Sequence, residues 1–227
     1  MGICARDIGG EVGFELSQRL FHRHAAVLKR SVDLAVSALL LAALSLLFLI
    51  IAALVKATSK GPVFYGHARF GRNGRIFDAL KFRTMVVNGD EVLAAHLRNH
   101  PGQLFEWQRD HKLKHDPRVT PVGKWLRRLS FDELPQLLNV VAGQMSLVGP
   151  RPIVKAEIAR YGNSCFDLYS RVLPGITGLW QVSGINNTTY AERIAFDEYY
   201  VRNWSIWLDT YILFRTFKVL LTTEGAY

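Results

Sequence analysis

Residues 34–55 read LAVSALLLAALSLLFLIIAALV, from Leu34 to Val55, without one charged side chain. As a straight helix this run reaches about 33 Å at ~1.5 Å per residue, enough to cross a hydrocarbon core of roughly 30 Å. A buried helix of a soluble domain rarely lacks a polar stripe. The run is too long and too deep in the chain for a signal peptide, and no small-residue cleavage pattern follows it. It therefore reads as a membrane-inserted segment.

Its flanks carry the next question. Arg19, Arg23, Lys29 and Arg30 precede the run, and Lys56, Lys60, Arg69, Arg72 and Arg75 follow it. Basic flanks favour the cytoplasmic side. A single span places one of them on the wrong side, whereas a re-entrant hairpin keeps both on the same side. Ser37 and Ser45 can assist a bend by bonding to backbone carbonyls, but the run contains no proline or glycine. On the residues alone, both geometries stand.

The chain has 227 residues, 49% of them hydrophobic, and a net charge of +9 from 28 Lys and Arg against 19 Asp and Glu. This excludes a disordered or fibrous chain and implies an anionic partner: nucleic acid, an anionic membrane surface or a phosphorylated substrate. Cys4 and Cys165 form no C-x-x-C pair, which argues against a disulfide scaffold or a zinc site.

Residues 1–28 form a lead-in, with Phe14, Leu20, Phe21 and Val27 among His22, Arg23 and His24 as an interfacial stretch. Residues 29–60 hold the membrane segment, which Gly61-Pro62 ends. Residues 61–227 form the remaining domain. Val63-Phe64-Tyr65 and Ile76-Phe77 read as strands around a Gly71-Arg72-Asn73-Gly74 turn. Residues 90–115 are helical or loop. Helices are expected at Val122–Leu129, Glu133–Val141, Arg151–Tyr161, Ala191–Asn203 and Ser205–Leu221, the last with Trp207, Tyr211, Phe214 and Phe217 suited to the headgroup level or to ordinary packing. The expected fold class is α+β and mostly helical, with a re-entrant membrane helix, a small β-hairpin and a helical catalytic domain with interfacial helices.

Motif by motif, most nucleotide and metal signatures are missing: no Walker loop, G-x-G-x-x-G, H-E-x-x-H or D-x-D occurs. His96/His100 and His111/His115 have i,i+4 spacing without a third ligand and read as solvated. The informative stretch is residues 122–152, VGKWLRRLSFDELPQLLNVVAGQMSLVGPRP. Asp132 and Glu133 follow Arg127 and Arg128 at a helix start. A capping box over Ser130-Phe131-Asp132-Glu133 is one explanation, although Pro135 then falls inside the helix. Asp132 as N-cap leaves Pro135 in the harmless first turn. Chemistry is the other explanation. Gly149-Pro150-Arg151-Pro152 is a rigid loop presenting an arginine, and Lys81-Phe82-Arg83 follows an expected strand; such cations hold phosphate oxygens. A carboxylate beside several cations is expected to keep a low pKa and can attack phosphorus. A diphosphate substrate would also call for a bridging cation such as Mg²⁺.

With those blocks in view, the chain resembles the bacterial sugar transferases, the monotopic polyprenyl-phosphate phosphoglycosyl transferases, from about Lys29 to the C-terminus. The resemblance rests on Lys29-Arg30-x-x-Asp33, Lys81-Phe82-Arg83-Thr84-Met85, Asp132-Glu133-Leu134-Pro135-Gln136, Val148-Gly149-Pro150-Arg151-Pro152 and Pro174-Gly175-Ile176-Thr177-Gly178, in the family's order. It is most similar to the small enzymes that begin exopolysaccharide synthesis with galactose or glucose. The resemblance implies transfer of a sugar 1-phosphate from a UDP-sugar to undecaprenyl phosphate, with release of UMP. It implies Asp132 as nucleophile and Mg²⁺ ligand, and Glu133 as its partner carboxylate. Lys81, Arg151, Gln136 and Arg128 become candidates for holding phosphate. It also implies membrane lipid as a partner and a place at the bacterial inner membrane with the catalytic domain on the cytoplasmic face; the sequence itself leaves a homodimer open, without a coiled-coil seam to support it. The family's helix break carries Ser-Pro, and the matching pair here is Ser45-Leu46, so the hairpin is expected without its proline. An N-acetylated or other UDP-sugar is an alternative substrate, and a catalytically inactive membrane scaffold an alternative role. A nucleic-acid-binding protein would explain the charge and Lys112-Leu113-Lys114-His115 but would leave Asp132-Glu133 without a role.

Overall fold

A computed structural model describes residues 3–8, 11–16, 19–110, 113, 115–184 and 188–222. In chain order the elements are β1 (Ile3–Ile8), β2 (Glu11–Leu16), α1 (Arg23–Ala43), α2 (Ser45–Thr58), β3 (Phe64–Phe70), β4 (Ile76–Phe82), α3 (Gly89–Asn99), α4 (Pro101–Asp110), α5 (Pro121–Arg128), α6 (Gln136–Val141), β5 (Ser146–Val148), α7 (Lys155–Ser170), β6 (Gly175–Thr177), α8 (Leu179–Val182), α9 (Tyr190–Asn203) and α10 (Ile206–Thr222). The chain is thus mostly helical with three two-stranded sheets, β1-β2, β3-β4 and β5-β6.

The expected hairpin forms as β3-β4, with longer strands than the short apolar runs suggested. Its turn uses Asn73 (φ 58) and Gly74 (φ 68) in the left-handed region, which Asn and Gly adopt most readily. Part of the N-terminal lead-in forms a second antiparallel hairpin, β1-β2, in register from Ile3↔Leu16 to Ile8↔Glu11. Sequence patterning did not indicate it. His111, expected to be solvated, and Lys112 and Lys114 of the basic stretch lie outside the described residues. Arg151–Tyr161 is corrected: the helix begins only at Lys155, because Pro150 and Pro152 hold the preceding segment extended, and it runs on to Ser170 past a left-handed Gly162 (φ 65).

The apolar run is broken into two helices. α1 ends at Ala43, and Leu44 takes φ −94, ψ 5 before α2 begins. The chain bends there by 63°; no single helix among the described residues is long and apolar enough to cross a membrane, though the bent pair together meets that length and composition. The break comes directly before Ser45-Leu46, without a proline. Ser37 has no part in it, since its buried hydroxyl finds no hydrogen-bond partner.

The described residues divide into two compact units. The first comprises residues up to Ala43, Gly66–Leu80 and those from Gln136 onward. Its core gathers Val140, Met145, Val148, Val201, Trp204 and Ile212. The Lys29-Arg30-x-x-Asp33 block ties α1 into this core. Lys29 Nζ donates to Asp209 Oδ2 at 2.7 Å, and Arg30 donates to the carbonyls of Val140 and Val141 at the end of α6. Asp33 accepts from Ser146 Oγ at 2.7 Å and from the Leu147 N–H at 3.2 Å. The parallel pair β5-β6 joins the Val148–Pro152 and Pro174–Gly178 blocks. A Cβ on Gly175 would stand 2.1 Å from Gly149 N, so backbone passes directly over backbone. α10 buries Asp209 and Ile212 and exposes Trp207, Tyr211, Phe214 and Phe217.

The second unit comprises Leu44–Tyr65 and Lys81–Pro135. α2 buries Ile51 and Val55 against Phe82 and Leu126, with Phe48, Phe131 and Leu134 around them. Deleting Leu126 to alanine would cost about 2–5 kcal/mol. α5 starts as its residues require: Pro121 is its first residue and Thr120 Oγ1 caps Gly123 N at 2.9 Å. Gly123 admits no side chain, because a Cβ there would lie 2.1 Å from the Thr84 carbonyl oxygen.

Candidate active site

Lys81-Phe82-Arg83-Thr84-Met85 ends β4 and lies under α5. Each of its polar side chains has a separate task. Arg83, buried, donates to the carbonyls of Ser59 and Lys60 and to Ser59 Oγ. It satisfies the chain just past α2, which helix ends require, and so is not free to hold phosphate. Thr84 receives the Arg127 Nε–H on its hydroxyl at 2.9 Å. Lys81 turns to the acidic pair: its Nζ donates to Glu133 Oε1 at 2.6 Å and stands 3.9 Å from Asp132 Oδ2.

The acidic pair sits on a short 3₁₀ turn, Phe131–Glu133. The capping box is not formed. Ser130 makes no side-chain cap bond and adopts φ 55, ψ 20, a left-handed conformation that costs a non-glycine residue roughly 1–2 kcal/mol. That residue ends α5 and turns the chain back. α6 begins only at Gln136, one residue after Pro135, so the expected Glu133–Val141 helix is shorter at its start. Pro135 precedes the helix rather than interrupting it. The acidic residues are therefore placed by a strained turn and not by a helix end.

Asp132 is buried, 8% exposed. Burial pushes its carboxyl above the usual carboxylate range; Lys81 and Arg127 pull it down, Glu133 adds to the rise, and burial prevails. This corrects the expectation of a low pKa. The neighbouring cations are present, but the desolvation that comes with enclosing the group outweighs them.

Of the residues nominated from sequence, Asp132, Glu133 and Lys81 come together. Arg127 and Arg128 both lie exposed on α5, in the same unit, and the one whose charge bears on Asp132 is Arg127. Helical periodicity could have separated the two: Gly123 and Leu126 are the buried positions of α5, and Arg127, one position past Leu126, is the arginine that reaches Thr84. Gln136 and Arg151 belong to the first unit. Gln136 is buried at the start of α6, and Arg151 lies on the loop after β5, its guanidinium over the Trp180 ring at 5.9 Å.

Among the described residues no three His, Cys, Asp or Glu side chains form a metal cage. Two adjacent carboxylates fit Mg²⁺ in another way, since this ion is commonly held by one or two carboxylates together with substrate phosphates. Asp132, with no direct lysine bond on it, is the ligand this arrangement offers.

The profile of the bacterial sugar transferases matches residues 24–223. The chain belongs to that family. The transferase is 51% identical over 199 residues to the exopolysaccharide production protein ExoY of Sinorhizobium fredii, covering 88% of each chain. It is 48% identical over 213 residues to the undecaprenyl-phosphate galactose phosphotransferase of Salmonella typhimurium, covering 93% of this chain and 44% of that one. It is 41% identical over 210 residues to the UDP-glucose:undecaprenyl-phosphate glucose-1-phosphate transferase of Klebsiella pneumoniae, covering 88% of this chain and 42% of that one. The chain thus spans less than half the length of the latter two relatives and most of the length of ExoY. It is an enzyme of the transferase class, and its relatives move sugar phosphate.

Proposed function

We propose that this enzyme transfers galactose 1-phosphate or glucose 1-phosphate from the UDP-sugar to undecaprenyl phosphate and releases UMP, as the first membrane step of exopolysaccharide assembly. The observation that carries the reading is the Asp132-Glu133 pair gathered under Lys81 in a chain whose relatives are named for that transfer. Asp132 in its ionised form attacks the β-phosphorus of the donor. An aspartyl oxygen–phosphorus bond forms as the bond to the UMP oxygen breaks. A phosphate oxygen of the lipid then attacks the same phosphorus, restoring the carboxylate and forming the lipid diphosphosugar. Two displacements with a covalent intermediate replace one difficult one. Glu133 assists the lipid phosphate in the second step, and Lys81 keeps both carboxylates in place while lowering the pKa of Asp132. Arg151, Gln136 and Arg128 are the remaining candidates for holding phosphate groups. Mg²⁺, with Asp132 as its protein ligand, would offset the negative charge of the diphosphate and of the departing UMP.

The membrane reading goes with this chemistry. The bend at Leu44 and the basic residues on both flanks support α1 and α2 entering and leaving by the cytoplasmic face, with the exposed aromatic side of α10 at the headgroup level. Cysteine labelling at both ends of the segment, in spheroplasts and in inverted vesicles, checks it: reaction of one end only from the periplasm would make the segment a span.

The test of function is UMP release by detergent-solubilised protein with Mg²⁺, undecaprenyl phosphate and a panel of UDP-sugars. Release dependent on the lipid and on Asp132 is expected with UDP-galactose or UDP-glucose. No release from folded protein with any UDP-sugar would leave only the scaffold role. In single-turnover assays Glu133→Gln should slow transfer to lipid more than loading of the enzyme; equal loss in both half-reactions would remove Glu133 from the second step.

A further inference from the structure

Among the described residues Arg83 and Arg215 each leave a buried Nε without a hydrogen-bond partner, whereas Arg193 leaves both Nε and Nη2. Those two nitrogens form one edge of the guanidinium, whose parallel N–H groups match two oxygens of a single oxyanion. Arg193 lies on α9 in the first unit, 6% exposed. The rest of its guanidinium is committed. Nη1 donates to Glu157 Oε1 of α7 at 2.9 Å, and the group lies over Trp180 of α8 and Tyr190 of α9, 4.9 and 5.1 Å from the ring centres. Aromatic rings meet a guanidinium through its flat face, which leaves the in-plane N–H groups of that edge to find an acceptor elsewhere.

The carboxylates nearby are drawn in other directions. Glu157 Oε2 accepts from the Val154 N–H at 2.9 Å and stands 3.9 Å from Arg69. Asp197, one turn along α9, accepts from Tyr161 Oη at 2.7 Å. Arg160 overlies the Tyr190 ring at 5.0 Å and Arg151 the Trp180 ring at 5.9 Å. Arg69, Arg151, Arg160 and Arg193 thus stand against Glu157 and Asp197, four cations to two carboxylates. The Tyr190 hydroxyl is a further buried group with no partner. Trp180 and Tyr190 are half-buried and Arg160 is exposed, so the cluster borders on the surface. We propose that it is a phosphate-group site of the first unit: Arg193 binds two phosphate oxygens through its Nε–Nη2 edge, and the Tyr190 hydroxyl donates to the same group. The excess of two positive charges is balanced by a phosphate dianion and not by a carboxylate. Every residue of the site belongs to one unit, and the site does not depend on the reaction proposed above.

The experiment measures binding of inorganic phosphate, UMP and undecaprenyl phosphate in detergent by calorimetry, without Mg²⁺ and at fixed ionic strength. The proteins are wild type, Arg193→Met, Arg193→Lys and Tyr190→Phe, each checked for folding by thermal unfolding. Wild type should bind at least one of the three. Arg193→Met should weaken that binding by about tenfold or more, the scale of a lost hydrogen bond to a charged group. Arg193→Lys, which keeps the charge and loses the two-nitrogen edge, should fall between and serves where the methionine variant does not fold. Tyr190→Phe, which removes only the hydroxyl, should weaken binding by roughly threefold. An Arg193-dependent preference for UMP assigns the phosphate to a nucleotide, a preference for the lipid assigns it to the acceptor, and equal affinities assign it to the phosphate group alone. Binding of none of the three by wild type, or unchanged binding in folded Arg193→Lys, overturns the inference and leaves Arg193 a brace between Glu157 and the two rings. Turnover plays no part in the readout, so the proposed function stands or falls separately.

Discussion

Two buried aspartates of similar exposure, Asp132 at 8% and Asp209 at 6%, are treated in opposite ways. Asp209 is saturated: Lys29 Nζ at 2.7 Å, Tyr200 Oη at 2.7 Å and Trp204 Nε1 at 3.0 Å all donate to it. Asp132 has its nearest cation at 3.9 Å, because Lys81 gives its short bond to Glu133 instead. A carboxylate with its lone pairs already committed is a strut. One enclosed beside charge, yet with oxygens not bound by a lysine, keeps lone pairs for another partner, which is what the nucleophile proposed above requires. Enclosure alone does not mark a functional acid; the disposition of its donors does.

The most severe way to break this comparison is at Asp132. Asp132→Asn should lower UMP release by at least about 10³-fold, since an amide does not replace a carboxylate nucleophile, while thermal unfolding shows an intact fold. Near-normal turnover would move the nucleophile elsewhere. The corresponding lesion at the saturated aspartate is Lys29→Met. It strands a buried negative charge and should destabilise by about 3–5 kcal/mol, read as a fall in the denaturant midpoint; a change within 0.5 kcal/mol, as for an ordinary surface position, would show that Asp209 is not held by Lys29. Lys81→Met sharpens the contrast. Lys81 lowers the pKa of Asp132, so its removal should move the acid limb of the pH–rate profile upward and reduce turnover by roughly 10–10²-fold at neutral pH, on the scale of a lost charge-assisted bond. An unmoved acid limb would detach the lysine from Asp132.

The smallest effect concerns stability. The folded pKa of Asp132 is raised above its unfolded value, so the folded state holds the proton more tightly. Asp132 therefore favours folding least above its folded pKa, and its unfavourable contribution fades as pH falls through that pKa to the ordinary carboxylate value. Asp132→Asn should consequently raise Tm at neutral pH and leave it nearly unchanged at acid pH. A lowered Tm at neutral pH would contradict the raised pKa.

Much of the site was legible in the chain. Asp132, Glu133 and Lys81 were singled out from block patterns and do meet, and α5, α9 and α10 fall within one residue of their expected starts, because amphipathic spacing and a Thr-Pro start are local signals. The mistakes occur where a contact far along the sequence decides. Arg83, in a block whose cations suit phosphate, binds carbonyls twenty-three and twenty-four residues away. Arg127, about 100° around the helix from Arg128, is the arginine that bonds Thr84 and bears on Asp132, and the block pattern did not separate the two. Ser130, one candidate for a cap, is a left-handed turn.

By itself the sequence determined the apolar run, its basic flanks, the order of the motif blocks and the acidic pair, all properties of composition and short-range spacing. Only the tertiary structure decided how charge is distributed among those groups. It gave the short bond of Lys81 to Glu133 and raised the pKa of Asp132. It broke the apolar run at Leu44 without a proline. Each of these depends on which groups are removed from water together. Desolvation and hydrogen-bond geometry arise between residues distant in the chain, where no local pattern records them.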